Sequence, residues 1–274
     1  MSEARQQWSA DYRLLVDRNL GLLTEEQQEC LRASKIAVFG MGGLGGTILE
    51  LLVRSGIGQF SIVDHDVFEA SNMNRQIFSC RETLGQRKID AAEARALNIN
   101  PEAVITKYDR VETDNIGEIL SGAALGIMAI DKLRPCLVIS RAAREVGIPL
   151  VEGWALPYGN VRVINSQTPS LEEMYGLTTQ GRPLESITDE EIQQQGLAVL
   201  AGLGKIEGIA AFYSEEAMQR IAEGWIPSFG PIVWLTAVLM ALEAVKVALG
   251  WGQLALGPNF ALYDPFRHRI PGTG

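Results

Sequence analysis

The stretch KIAVFGMGGLGGTILELL, residues 35–52, decides the expected fold of this chain. Its first five residues have the composition of a buried strand, and the apolar spacing of its last six is typical of a helix. The glycines between them allow a tight turn and a close approach of the backbone to a ligand, and the start of the helix favours an anion. The stretch therefore predicts a phosphate-binding turn formed by Gly40, Gly42, Gly43 and Gly45.

A carboxylate follows at the spacing that is typical of sites for adenosine-containing ligands. The predicted second strand, QFSIVDHD, contains Asp64, 19 residues beyond Gly45, where a carboxylate can accept hydrogen bonds from ribose hydroxyls. The glycine fingerprint alone also fits an NAD(P)-dependent oxidoreductase, which stays open as an alternative. A nicotinamide enzyme has no need for the cluster ASNMNRQ at residues 70–76, whereas an enzyme that reacts with phosphates does.

Strand-like and helix-like segments alternate along the chain. After the first two predicted strands come VITKYD, ALGIMAID, LVEGW and GNVRVI, with helical stretches at GQRKIDAAEARALNINP and RPCLVISRAAREVGIP and a last short strand near FALYDP. This alternation predicts an α/β fold, namely a doubly wound, Rossmann-like, mostly parallel sheet with helices on both faces. Thr24 and Gln27 predict a capping box at the start of an N-terminal helix.

Composition narrows the class of protein. The 274 residues are 47% hydrophobic and carry a net charge of −9, which disfavours general nucleic-acid binding. Three cysteines without a Cys-x-x-Cys pair, and only two histidines, give no reason to expect zinc. The polar N-terminal residues lack the apolar stretch of a secretory signal, which favours a cytoplasmic location. Residues 231–249 are apolar but contain Glu243 and Lys246, which favours a buried helix over a membrane span.

Several motifs stand in a fixed order: GMGGLGG, DHDVFEASNMNRQ, GQRK, the aspartate of MAID, and FGPIVWLTAVLMALEAVKVALGWG. In this order they resemble the ThiF/MoeB/HesA superfamily, the adenylating enzymes related to the ubiquitin-activating enzyme. The resemblance implies a single ThiF/MoeB-type adenylation domain over residues 1–274. Within it we expect an N-terminal helical arm (1–34), a nucleotide-binding core (35–165), an acidic insertion or crossover loop (166–227), and a C-terminal helix and strand (228–274).

The resemblance also implies an ATP- and Mg²⁺-dependent adenylyltransferase that works as a homodimer. It places Asp64 at the ribose, Lys88 near the ribose or phosphates, and Arg75 at the phosphates. The glycines of the turn complete the nucleotide site together with Asp66, Asn72, Asn74 and Gln76. Of these, Asp66 is expected mainly to order its loop.

Two further roles follow from the resemblance. Asp131 is expected to coordinate Mg²⁺, although the usual Asp-Asn of the family is Asp131-Lys132 in this sequence. Arg18 is expected to reach the ATP of the partner subunit.

The chemistry of such a site agrees with these residue types. When a carboxylate attacks the α-phosphate of ATP, charge builds on the phosphate oxygens, so Arg, Lys, Asn and Mg²⁺ must converge there. Residues 165–230 contain no cysteine, which predicts adenylation without a thioester-forming step. Cys30, Cys80 and Cys136 are expected to be buried or incidental.

The identity of the carboxylate stays open at this point. The C-terminus of a ubiquitin-like protein or of a peptide is favoured, and the carboxylate of tRNA threonylcarbamoyladenosine is an alternative. An alternative to any enzymatic function is that the chain is a non-catalytic nucleotide-binding scaffold. Residues 166–223 hold ten acidic and three basic residues, so they carry −7 of the net −9, which fits a tRNA substrate poorly. This segment is expected to be either a substrate-recognition loop or a solvated surface insertion; no membrane partner is expected.

Overall fold

The computed structural model describes residues 8–206, 208–222 and 225–268. Within them, the strands of the central sheet are β1 (Lys35–Phe39), β2 (Gln59–Val63), β3 (Val104–Tyr108), β4 (Ala123–Met128), β5 (Leu150–Glu152), β6 (Gly159–Ile164) and β7 (Ala261–Tyr263). They form a seven-stranded sheet with the order β3-β2-β1-β4-β5-β6-β7. The chain therefore begins the sheet in its middle and winds outward to both edges.

The sheet is mostly parallel, as the sequence predicts. β1 pairs in parallel with β2 and β4, β2 with β3, and β4 with β5. β6 is antiparallel to β5, and β7 is antiparallel to β6. Only residues 153–158 connect β5 to β6, and a parallel return needs a crossover of a dozen or more residues.

Helices cover both faces of the sheet. The α-helices in the described part are α1 (Ala10–Val16), α2 (Glu25–Ala33), α3 (Gly43–Arg54), α4 (Lys88–Ile99), α5 (Ile116–Leu120), α6 (Leu133–Val146), α7 (Leu171–Tyr175), α8 (Asp189–Gly204), α9 (Glu215–Ala222) and α10 (Gly230–Leu249). Because alternate residues of a strand face opposite ways, Ile36 and Val38 of β1 pack in the core with α3, α4 and α10, whereas Ala37 and Phe39 pack with α5 and α6.

The N-terminal helix α2 begins with the predicted capping box. The Thr24 side chain accepts a hydrogen bond from the backbone N–H of Gln27, and the Gln27 side chain accepts one from the backbone N–H of Thr24. These two bonds satisfy donors that the first turn of a helix otherwise leaves free.

α10 is a core helix of this fold. Its length and composition alone would allow it to cross a membrane. Its inner residues, among them Ala237 and Met240, are fully buried in the core that α3 and the sheet form. Glu243 and Lys246 form an ion pair on this helix, in agreement with the expected buried helix.

The acidic segment is folded against the sheet domain. Leu177, Val199 and Leu203 from this segment are buried together with Leu137 of α6. The segment contributes α7, α8 and α9. Its apolar residues thus pack with α6 in a small core, whereas a solvated surface insertion, one of the two alternatives, would leave them exposed.

Candidate active site

A cleft of about 970 Å³ lies where the parallel strands end. Residues directly after β1, β2 and β4 line it, and in the sheet order β1 lies between β2 and β4. The strand order reverses between β1 and β4, and ligands of open α/β sheets bind in the crevice at such a switch point. The topology therefore places the candidate site at the predicted edge of the sheet.

The glycine turn forms one side of the cleft. Gly40 has a φ of +95°, and a Cβ there would lie 2.4 Å from the Ala129 carbonyl oxygen. Gly42 is the N-cap of α3 and supplies no side-chain cap, so the first N–H groups of the helix have no side-chain acceptor at this position. Gly40, Gly42 and Gly43 line the cleft. A helix start of this kind favours a phosphate.

Gly45 has a different part in this turn. It is buried in the first turn of α3 and does not line the cleft. A Cβ on Gly45 would lie 1.8 Å from the Gly40 carbonyl oxygen. Gly45 therefore lets the helix approach the turn, and its contribution to a nucleotide site is to the shape of the backbone.

Asp64 ties the end of β2 to the glycine turn. Its Oδ2 accepts a hydrogen bond of 2.7 Å from the backbone N–H of Met41, and its Oδ1 accepts one of 2.8 Å from the backbone N–H of Asp66. Asp64 is half-buried and lines the cleft. Each carboxylate oxygen keeps a further lone pair, so these bonds leave room for the predicted contact with a ribose.

Asp66 and Lys88 form an ion pair within the cleft. The Lys88 ammonium, at the first position of α4, donates to Asp66 Oδ2 at 2.8 Å, and Lys88 is buried. Burial alone would raise the pKa of Asp66, but the hydrogen bond and charge of Lys88 outweigh it and lower that pKa. Lys88 is thereby held with its charge facing the space that a nucleotide would occupy. The Asp66 carboxylate thus holds the Lys88 side chain in place.

The loop after β2 brings the predicted phosphate residues together. A short 3-10 helix, Ala70–Asn72, is capped by Asn72, whose Oδ1 accepts a 3.1 Å hydrogen bond from the backbone N–H of Glu69. The Asn74 side chain donates to the Ser228 carbonyl oxygen at 2.8 Å. Asn72, Asn74, Arg75 and Gln76 all line the cleft.

Arg75 is a cation without a carboxylate partner. Its Nη1 donates to the Ser71 carbonyl oxygen at 2.9 Å and to Asn74 Oδ1 at 2.8 Å. No acidic side chain in the described ranges lies within ion-pair distance of it. Burial lowers the pKa of the Arg75 guanidinium, and a half-buried positive charge of this kind is stabilised by an anionic ligand.

Gln76 carries an unsatisfied polar atom. The residue is buried, and its Oε1 has no hydrogen-bond partner among the described residues. Its Nε2 lies 3.7 Å from the position that a Cβ on Gly42 would take. The unpaired Oε1 can accept a hydrogen bond from a donor group, whereas Nε2, which lies near Gly42, is the atom that can donate to a ligand at the glycine turn.

Asp131 follows β4 and lines the same cleft. It is exposed, and its carboxylate has no hydrogen bond or ion pair within the part of the chain that the structure describes. Asp64, His65 and Asp66 also present ligand atoms within 4.8 Å of one another. The Asp64 oxygens and Asp66 already have the partners given above, so among the described residues Asp131 and Glu112 are the cleft carboxylates without a side-chain partner.

Arg18 and the cysteines are not brought to the cleft. Arg18 lies in a short 3-10 helix, its side chain is fully exposed, and its one ion pair is with Asp17 at 3.8 Å. Its predicted role in a partner subunit stays a prediction. Cys136 is buried, and burial raises the pKa of its thiol, whereas Cys30 and Cys80 are exposed. None of the three lines the cleft.

The cleft contains residues that sequence reasoning did not single out as site residues. Arg110 follows β3 and Trp154 follows β5, so the rule that ligands bind at the carboxyl ends of parallel strands could have found both. Tyr213, Met218 and Trp225 come from the acidic segment. The signal for these residues was weaker, since it consisted only of large apolar or aromatic residues five and seven positions apart.

Comparisons with known proteins agree with this geometry. The ThiF family matches residues 16–272. The sulfur carrier protein adenylyltransferase of Thermus thermophilus is 30% identical over 87% of this chain and 78% of its own length. The SAMP-activating enzyme E1 of Haloferax volcanii is 33% identical over 47% of this chain, and the match spans about half, 48%, of that relative.

A solved structure shows the same architecture. The E. coli tRNA N6-threonylcarbamoyladenosine dehydratase, in complex with AMP, superposes with a TM-score of 0.64 at 22% identity, over 88% of this chain and 97% of that chain. The family match covers nearly the whole chain, and the Thermus relative is matched over more than two thirds of its length. The chain therefore belongs to the ThiF family and has the ThiF/MoeB-type fold.

Proposed function

We propose that this protein adenylates a carboxylate. In this reaction a carboxylate oxygen forms a bond to the α-phosphorus of ATP, the bond to the bridging oxygen of the β-phosphate breaks, and pyrophosphate leaves with that electron pair. One observation carries the proposal: Arg75, a half-buried cation without a carboxylate partner among the described residues, faces the cleft beside the glycine turn. Such a cation is suited to the charge that develops on phosphate oxygens.

The other residues of the cleft have complementary parts in this proposal. The backbone N–H groups at the start of α3 hold a phosphate, and Lys88 adds a second positive charge that Asp66 keeps in position. The amide group of Gln76 donates to a phosphate oxygen or to the incoming carboxylate. Asp64 accepts hydrogen bonds from the ribose and keeps the glycine turn in register with β2. Binding and orientation by these groups bring the two reacting atoms together.

The oxygen donors of the cleft fit Mg²⁺. Mg²⁺ prefers oxygen ligands and commonly binds through one or two carboxylates together with substrate phosphates. Asp131 offers a carboxylate with no partner among the described residues, so Asp131 would hold the ion. The ion would neutralise charge on the phosphates when it is bound. Lys132, in place of the usual Asn of the family, adds a positive charge at this point of the cleft.

The favoured substrate is the C-terminus of a small protein or peptide. The name of the Thermus relative, a sulfur carrier protein adenylyltransferase, supports a protein substrate. Residues 165–230 contain no cysteine, so the activated product would be released or passed on as the adenylate and not as a thioester of this segment.

A second candidate is the carboxylate of a modified tRNA, which the likeness to the E. coli dehydratase favours. The negative charge of the acidic segment disfavours this tRNA substrate. The segment that forms one side of the cleft holds ten acidic residues and three basic ones, and a polyanion would be repelled by it.

We also propose a homodimer in which Arg18 reaches the cleft of the partner subunit. The full exposure of the Arg18 side chain, whose one ion pair is with the neighbouring Asp17, leaves it accessible to a second subunit. α10 has an exposed apolar face formed by Trp234, Val238 and Leu242. An exposed apolar face of this kind supports contact with a second subunit.

Isotope transfer tests the proposal. A candidate peptide or carrier protein with ¹⁸O in its C-terminal carboxylate is incubated with the enzyme, ATP and Mg²⁺, and the adenylate is trapped with hydroxylamine. Attack of the carboxylate on the α-phosphorus requires one ¹⁸O in the AMP that is released. AMP without ¹⁸O, formed in step with a hydroxamate, would show that the carboxylate is not adenylated.

A further inference from the structure

The cleft has two chemically different halves. The half formed by the glycine turn, the loop after β2 and Asp131 is polar. The opposite half is apolar and comes from the acidic segment and the connection after β5. We call this half the apolar wall and define it by Leu156, Leu203, Ile209, Met218, Ile221 and Trp225.

The apolar wall is open to solvent in its outer part. Met218 is 46% exposed and Trp225 is 42% exposed, although both line the cleft. Leu203 and Ile209 lie deeper and are buried. Large apolar side chains that line a cleft in this graded way indicate a ligand-binding groove, since their exposure is unfavourable until a ligand covers them.

The chain that follows the wall contacts the polar half. The Ser228 carbonyl oxygen accepts a 2.8 Å hydrogen bond from Asn74, and the Arg75 carbonyl oxygen accepts one of 2.9 Å from the Trp234 indole N–H. These bonds hold Ser228 and the start of α10 against the loop that carries the Arg75 guanidinium. Arg75 and Trp225 line the same cleft, so a molecule whose carboxylate reaches Arg75 can extend toward the wall.

Beside the wall, on the same connection after β5 as Leu156, the indole ring of Trp154 is held in place by hydrogen bonds. Its indole N–H is shared between Glu152 Oε1 at 3.1 Å and the Tyr175 hydroxyl at 2.9 Å, and the buried Glu152 also pairs with Arg162 at 2.6 Å. This network holds the ring in one orientation at the edge of the cleft. The groove is thus preformed on that side, which lowers the entropic cost of binding.

One polar atom lies within the apolar half. Tyr213 lines the cleft, and burial raises the pKa of its hydroxyl. This hydroxyl has no hydrogen bond to any other described residue. Tyr213 is half-buried, so its hydroxyl can donate to a ligand in the cleft, and the backbone of an extended peptide would supply a carbonyl oxygen.

We propose that the substrate is a peptide or protein C-terminal tail whose last residues carry large apolar side chains, which pack on the apolar wall while Tyr213 donates to the backbone of the tail. This inference rests on the proposed adenylation and specifies its substrate. A tail that ends in two glycines would leave Met218 and Trp225 uncovered, so the wall selects against it.

Direct binding tests the inference. Fluorophore-labelled peptides that differ only in their last two residues, Leu-Phe, Gly-Gly or Asp-Ser, are titrated with the protein in the presence of a non-hydrolysable ATP analogue. We expect the Leu-Phe peptide to bind at least tenfold more tightly than either of the others, which is about 1.4 kcal/mol. Equal or weaker binding of Leu-Phe, or no binding of any of the three, would overturn the inference.

Substitutions locate the preference on the wall. In a Met218→Ala/Trp225→Ala variant we expect the preference for Leu-Phe to fall below threefold, with the affinity for the ATP analogue unchanged. The control is Leu197→Ala, which removes an exposed apolar side chain of α8 that does not line the cleft and should keep the full preference. A preference that survives in the double variant would also overturn the inference.

The two proposals fail in different ways. If Leu-Phe is preferred but yields no ¹⁸O-labelled AMP with ATP, the wall is confirmed as a peptide site and adenylation is refuted. If ¹⁸O transfer occurs equally well from the Gly-Gly peptide, adenylation is confirmed and the apolar preference is refuted.

Discussion

Replacement of Arg75 by glutamine should separate binding of the phosphates from binding of the nucleoside. Nη1 of Arg75 is held by Ser71 and Asn74, which leaves Nε and Nη2 for phosphate oxygens. A hydrogen bond to a charged group contributes about 1.5–3 kcal/mol, so the affinity for ATP should fall roughly 10- to 150-fold. The affinity for adenosine should change less than about twofold, because the nucleoside has no phosphate.

The fold should tolerate this substitution. It removes two hydrogen bonds of about 1 kcal/mol each from a domain whose total stability is typically about 5–15 kcal/mol. Titration calorimetry with ATP and with adenosine measures the effect, and Arg81→Gln is the matched control, since Arg81 is exposed and does not line the cleft. An equal loss for both ligands would mean that Arg75 acts through the shape of its loop. No loss for ATP would refute its place at the phosphates.

Three further substitutions test other parts of the cleft. Gly45→Ala should lower the free energy of unfolding by about 1–3 kcal/mol, because its Cβ would lie 1.8 Å from the Gly40 carbonyl oxygen. The control is Gly117→Ala, whose Cβ would have no atom within 4 Å and which should not lower it. Thermal unfolding of the two variants measures the difference. Asp131→Asn should weaken Mg²⁺-dependent binding of ATP while Mg²⁺-free binding stays unchanged, and equal loss in both conditions would argue against a metal ligand. Asp66 has a lowered pKa in the folded state, so its ion pair stabilises the fold above about pH 4 and loses this effect as the pH falls. The difference in melting temperature between the wild type and Asp66→Asn should therefore shrink as the pH falls below about 4, and a difference that grew there would contradict the ion pair.

Much of the nucleotide half of the cleft could be predicted from local sequence. Several of its residues follow directly after a predicted strand, as with Asp64 after β2 and Asp131 close after β4. Because the carboxyl ends of parallel strands meet at one edge of the sheet, such residues converge whatever the length of the connections between them. The glycine turn adds a backbone requirement that only a few sequences satisfy.

The antiparallel direction of β6 could also have been predicted from the sequence. The six residues between β5 and β6 are too few for a parallel crossover, and this count alone implies a reversal of direction. The bias toward a parallel sheet came from the alternation of strands and helices in the first 150 residues, which says nothing about the strands after it.

The apolar wall could not be predicted in the same way. Leu203 and Ile209 are apolar residues of an acidic segment, and nothing in their spacing tells whether they face the sheet, the solvent or a ligand. Their place depends on the packing of α8 against α6, which buries Leu203 beside Leu137. Contacts between residues this far apart in the chain follow from the tertiary structure and not from local pattern.

Sequence reasoning also does not predict which side chains bind one another. The family resemblance placed Lys88 near the ribose or phosphates and Asp66 in the nucleotide site, mainly to order its loop, but it did not predict that the two bind each other. This ion pair forms because the first position of α4 lies over the end of β2, and that relation depends on the path of the long loop between them.

ATP–pyrophosphate exchange tests the central claim most directly. The purified protein is incubated with ATP, Mg²⁺ and labelled pyrophosphate, with and without a peptide or carrier protein that has a free C-terminal carboxylate, and with the same molecule amidated at its C-terminus. We predict that label enters ATP only with the free carboxylate and that Arg75→Gln abolishes this exchange. Exchange that proceeds equally with the amidated molecule, or none with peptide, carrier protein or modified tRNA despite measurable binding of ATP, would contradict the account.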